Sequence, residues 1–143
     1  MQADLAEFIP YASQNKGHKY ILVVINCYSK YLWARPLKTK NRKEVASALR
    51  NIFEKANDGM VPDNFQTDQG REFYNNHVTE LMEEHNINHY STYSILKASI
   101  AERIIRSLKG NLYQMFHLQG THRWFDALQD VVDEYNRIKH RTI

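Results

Sequence analysis

The order in which the hydrophobic period changes along the chain constrains its fold more than any other feature. Three short runs rich in Ile, Val, Leu and Tyr come first, at residues 2–9, 19–27 (KYILVVINC) and 31–37 (YLWARPL). Polar stretches bound them, and they read as three successive strands paired as antiparallel neighbours. From Asn41 to Lys55 the spacing changes. Val45, Ala48, Leu49, Ile52 and Phe53 repeat as one helical face, and Asn57-Asp58-Gly59 stops the helix. A short strand around 64–67 follows, then a helix over 72–85 with Phe73, Val78, Leu81 and Met82 inward, and a strand at 87–90. The polar loop STYSILK leads into a long helical pattern that starts near Ala98 and runs through Leu108, Leu112, Met115 and Phe116 to Leu118. A last helix, from Trp124 to about Ile138, carries Leu128, Val131, Val132 and Tyr135 on one side. This succession predicts an α/β fold, a mixed five-stranded sheet flanked by helices.

Composition narrows the class. At 143 residues with 43% apolar content, there is room for one domain with a real core, and no repeat or Pro/Gly/Ser linker divides it. A lone cysteine, Cys27, forms no internal disulfide and points to a reducing compartment. No apolar run approaches the roughly 18 residues of a membrane span, and the N-terminal residues lack the basic-then-apolar order expected of a signal peptide. The opening MQADL reads as that of a fragment of a longer protein. The net charge of +3 is too small to define a polyanion partner, but its distribution is uneven. Residues 1–57 hold ten bases and four acids, 58–93 one base and seven acids, and 94–143 eight bases and five acids.

Position separates the functional acids from the solvated ones. Glu80, Glu83 and Glu84 lie on the polar face of an amphipathic helix, and Asp126, Asp130, Asp133 and Glu134 are similar. Asp4 differs, because it sits inside an apolar strand, where a carboxylate is disfavoured unless it reaches a sheet surface and a partner. Asp68 ends the fourth strand, and the flexible Gln69-Gly70 turn leaves it at a strand tip. Glu102 falls one turn into the long helix. If the first and fourth strands are neighbours, the two aspartates converge and the helix adds the glutamate. Three such carboxylates repel one another unless divalent metal neutralises them, and hard oxygen ligands select Mg²⁺ or Mn²⁺ over zinc. Two ions roughly 3.5–4 Å apart serve in-line phosphoryl transfer on nucleic acid.

Glu102, Arg106 and Lys109 stand at i, i+4 and i+7. They form either a helix salt bridge, worth a few tenths of a kcal/mol, or a face with metal at its first turn and DNA phosphates beyond, with Lys97 and Arg103 nearby. Tyr93 in the preceding loop either stacks on a base or packs. His85 and His89 have helical metal spacing but no cysteine partners, and His89 falls in an expected strand, so they do not read as a zinc site.

At these residues the chain resembles the catalytic core of retroviral-type integrases, the DDE recombinases of retroviruses, LTR retrotransposons and Polinton/Maverick elements. The matching stretches are QADL around Asp4, KYILVVINCYSKYLWARPLK, TDQGREF around Asp68, STYSILKASIAERIIRSLK around Glu102, and YNRIKHRTI. They follow the family's order through nearly the whole chain, and the loop and long helix look most like the Polinton/Maverick or a related retroelement branch. The resemblance implies a ribonuclease H-like fold and one catalytic core over 1–143, without the family's zinc-binding N-terminal and DNA-binding C-terminal domains. It implies that Asp4, Asp68 and Glu102 bind two Mg²⁺ or Mn²⁺ ions, that Arg106 and Lys109 hold the element DNA end, and that residues 91–97 form the active-site loop. It further implies 3′-end processing and strand transfer, with element ends and target DNA as partners, a core homodimer, a higher oligomer of the full-length protein, and a nuclear location. No covalent protein intermediate is needed, so Cys27 is expected to be a buried strand residue and not a nucleophile.

Some positions depart from the family pattern. Asn26 stands where many relatives have an aspartate outside the triad, Ile105 where asparagine is usual, and Met1 where tryptophan is common. Loss of a donor at Ile105 is expected to weaken DNA contact. Such changes leave open a domesticated, non-enzymatic module that binds DNA or protein. A ribonuclease H acting on hybrids shares the fold and chemistry, but TDQGREF and KASIAER favour the integrase. Trp124 and Phe125 are candidates for a dimer surface, although core packing is the commoner use of such residues.

Overall fold

The computed structural model describes residues 1–26, 29–55, 62–91 and 99–141. Strands β1 (Gln2–Glu7), β2 (Tyr20–Ile25) and β3 (Leu32–Leu37) are followed by helix α1 (Arg42–Lys55), β4 (Asn64–Gln66), α2 (Asn76–Glu84), β5 (Asn88–Tyr90), α3 (Ser99–Gln119) and α4 (Leu128–Arg141). They form the expected mixed sheet in the order β3-β2-β1-β4-β5. β1 pairs antiparallel with β2, and β2 with β3; β1–β4 and β4–β5 are parallel.

All six residues of β2 are buried. Because side chains alternate across a strand, Ile21, Val23 and Ile25 pack with Leu108, Leu112 and Val132 of α3 and α4. Tyr20, Leu22 and Val24 pack on the opposite face with Val45, Leu49, Val78 and Leu81 of α1 and α2. Two cores thus flank one sheet. Edge strand β3 is closed by α4, whose buried Asn136 accepts from Leu32 N at 2.8 Å and donates to Leu32 O at 2.9 Å. These bonds satisfy both backbone groups of Leu32 at the start of an edge that would otherwise invite pairing.

Three of the element boundaries that differ from the expectation have a direct physical cause. The first strand stops at Glu7, and Ile9–Asn15 forms a 3₁₀ helix with Pro10 in its first positions. α2 begins at Asn76, because Asn75 caps it by accepting from Val78 N at 3.1 Å. α4 begins at Leu128, because Asn15, fully buried, holds the preceding segment. Asn15 Nδ2 donates to Tyr11 O and His122 O, while its Oδ1 accepts from Trp124 N and Phe125 N. Trp124 is thereby set in the core against Phe8, with ring centroids 5.7 Å apart, and is not available to a dimer surface. Cys27 lies outside the described residues.

Candidate active site

Strand parity brings the first carboxylate to α3. Ala3 and Leu5 point to the α1/α2 core, whereas Ala6 joins the α3/α4 core. Asp4, two residues from Ala6, therefore faces the α3 side, opposite Val23 in the β1–β2 register. The parallel β1–β4 pair, with Gln2 opposite Gln66, carries Asp68 to the same end of the sheet. A buried hydrogen bond of 3.0 Å from Gln2 Nε2 to Gln66 Oε1 locks that register. Glu102 sits in the first turn of α3.

Asp68 and Glu102 each lie within electrostatic reach of Asp4. Burial pushes the Asp4 carboxyl above its ordinary value; the Leu5 N–H, donating at 2.8 Å, opposes this, and the charges of Asp68, Glu102 and Glu72 add to the rise. Asp68 Oδ1 accepts from Gly70 N at 2.8 Å. One oxygen of each aspartate is thus spent on backbone, and the other has no hydrogen bond among the described residues. Glu102 is exposed and has no polar partner there either. This all-oxygen, charge-repelling donor set fits a hard divalent cation. The side chains stand apart, however, and no group of three or more His, Cys, Asp or Glu among the described residues is gathered as a ligand set.

Glu72 is the acid that sequence reasoning missed. The helical period placed it at the start of α2, but Asn75 delays the helix and leaves Glu72 in the preceding turn. Its carboxylate folds back over Gly70, where a Cβ would run into it. Beside it, Lys40 and Arg42 at the start of α1 and Arg71 before α2 line a groove of about 620 Å³, together with Tyr74 and Asn75. The signal was present in TDQGREF, but separating turn from helix there required recognising the asparagine cap.

Along α3, Ile105, Leu108 and Leu112 face the core, while Glu102, Arg103 and Arg106 are exposed and Lys109 is half-buried. The helix salt bridge that the spacing allowed is not formed. Glu102, Arg106 and Lys109 make no ion pair among the described residues. Ile105 is a packing residue, 8% exposed. Asn26 shapes the β2–β3 turn, its Oδ1 accepting from Ser29 N at 3.1 Å. Tyr93 and Lys97 lie outside the described residues. His85 Nδ1 contacts Leu81 O and His89 Nε2 contacts Thr67 Oγ1, so these two side chains serve separate elements.

Residues 1–93 match the family described as the integrase core domain. A transposon-derived protein of Caenorhabditis elegans is 38% identical over 133 residues, which are 93% of this chain and 46% of that relative. The chain thus spans about half the length of the curated relative it matches. It belongs to the integrase core domain family, built on a ribonuclease H-like fold. Among the described residues no helix is long and apolar enough to cross a membrane.

Proposed function

We propose that this chain is the catalytic core of a mobile-element integrase, carrying out divalent-metal-dependent 3′-end processing and strand transfer on DNA. One observation carries the reading: burial raises the half-buried Asp4 carboxyl on β1, and the charges of Asp68, two residues past β4, and of Glu102, in the first turn of α3, add to the rise. Asp4, Asp68 and Glu102 are the residues that would hold Mg²⁺ or Mn²⁺. When bound, two such ions supply activation of the attacking oxygen and neutralisation of charge at the leaving oxygen. Arg106 and Lys109, further along the same face of α3, hold the phosphates of the element end, with Arg103 on the same helix; Tyr93 and Lys97, outside the described residues, are further DNA contacts under this reading. Lys40, Arg42 and Arg71, with Glu72 also in the lining, form a groove of net positive charge suited to the backbone of the target duplex.

Under this reading the protein works in the nucleus, as a core dimer within a higher oligomer, in a Polinton/Maverick or related element. The test is strand-transfer reversal on a branched DNA with Mn²⁺. Product from the wild-type chain and none from Asp68→Asn is expected, and equal product from both would remove the triad. The separated carboxylates favour a second reading, a domesticated module that binds DNA or protein without catalysis. Calorimetric titration with Mn²⁺ in the presence of DNA decides between them, since the module takes up no metal.

A further inference from the structure

His89 lies on β5 and belongs to none of the groups assigned so far. Its Nε2 is 2.8 Å from Thr67 Oγ1, and that hydroxyl donates to the Asp68 carbonyl at 2.8 Å. The carbonyl can only accept, so the single hydroxyl proton goes to it, and the imidazole must donate into the oxygen's lone pair. Burial lowers the His89 pKa, consistent with a neutral ring carrying one N–H. Thr67 is itself buried, and its N–H donates to Tyr90 O at 3.2 Å, so both its polar arms are tied to β5. The ring has little room to turn. Tyr74 stacks on it at 4.2 Å and 14°, and Phe65 meets it edge-on at 5.8 Å.

We propose that His89 is a positioning residue for strand transfer, a hydrogen-bond donor that acts through Thr67 to fix the Asp68 peptide and aim its carboxylate at the metal. The proposal rests on the integrase reading above. Asp68 is held at two points, by Thr67 Oγ1 at its carbonyl and by Gly70 N at Oδ1, leaving the second carboxylate oxygen to the ion. Loss of the donor at residue 89 removes what orients the Thr67 hydroxyl at the first point, without removing a charge or a DNA contact.

The test compares His89→Phe, which keeps the aromatic stack but not the donor, with His89→Gln, whose amide reaches the Nε2 position, and with Thr67→Val. Metal-dependent strand transfer is measured as turnover and as KM for DNA. His89→Phe and Thr67→Val are each expected to lower turnover about tenfold, with KM within about twofold. His89→Gln is expected to recover most of the loss, and the double variant to be no worse than either single one. Wild-type turnover in His89→Phe, or equal loss in His89→Phe and His89→Gln, overturns the proposal. The ¹⁵N spectrum of the His89 ring reads the relay without DNA: a proton on Nε2 is expected, and one on Nδ1 alone overturns it. If the wild-type chain shows no metal-dependent turnover, the integrase reading fails, the positioning role fails with it, and the spectrum judges the hydrogen-bond relay alone.

Discussion

At Asp4, burial and neighbouring charge act in the same direction. Both raise its carboxyl pKa, and only the Leu5 N–H opposes them. A carboxyl whose folded pKa exceeds its unfolded value binds protons more tightly in the fold. Its contribution to stability is therefore fully present below the ordinary value of 3.8 and is lost as pH rises through the raised folded value. At neutral pH, Asp4 therefore costs stability. Asp4→Asn is expected to raise Tm at pH 7 and to remove the stability gained on acidification. Thermal unfolding across pH checks both. In the same assay Mn²⁺ at about 100 times its Kd should stabilise the wild type by about 2.7 kcal/mol and leave Asp4→Asn unmoved.

Helix α3 serves the core and the site from opposite faces. Leu108, Leu112 and Phe116 are buried in the α3/α4 core, while Glu102 and Arg106 are exposed. The apolar face sets where the polar face points, so damage to packing should reach the chemistry. Leu112→Ala is expected to cost about 2–5 kcal/mol in denaturant unfolding and to lower strand transfer although the residue touches no DNA. Full activity in a destabilised Leu112→Ala would separate α3 packing from the site. This two-faced pattern was legible in the sequence, because Leu108, Leu112 and Phe116 recur at helical spacing. The starts of α2 and α4 were not, since Phe73 and Trp124 continue the apolar period while Asn75 and Asn15 hold the backbone outside the helix. Asn75 acts within four residues of the chain, whereas Asn15 acts across 109 residues to Trp124.

Across the whole molecule, charge is sorted by surface and not by chain segment. The acid-rich stretch 58–93 contributes both Asp68 and Glu72 to the site and the exposed helix acids of α2, one of which, Glu84, pairs with Arg50 at 2.7 Å. Its single base, Arg71, joins Lys40 and Arg42 from the basic first segment in one groove. If that groove and the α3 face both take phosphates, Arg71→Gln and Arg106→Gln should each reduce the slope of log Kd against log salt by about 1. The double variant should reduce it by about 2. Fluorescence anisotropy with labelled duplex reads these slopes, and an unchanged slope removes the substituted cation from the DNA path.

The sequence by itself determined the element order, the sheet with helices on its faces, and the three acids worth following. Each of these is written in local periodicity, in turn residues, or in a short motif such as TDQGREF. The tertiary structure decided which side of the sheet Asp4 faces, that Glu72 joins its electrostatic surroundings, that Ile105 packs inward, and that three cations from two chain segments share a groove. It also decided that His89 serves Thr67. Sheet order and strand parity govern all of these, and they depend on which strands become neighbours. That is settled by burying both faces of β2 at once, a condition that no single window of the chain contains.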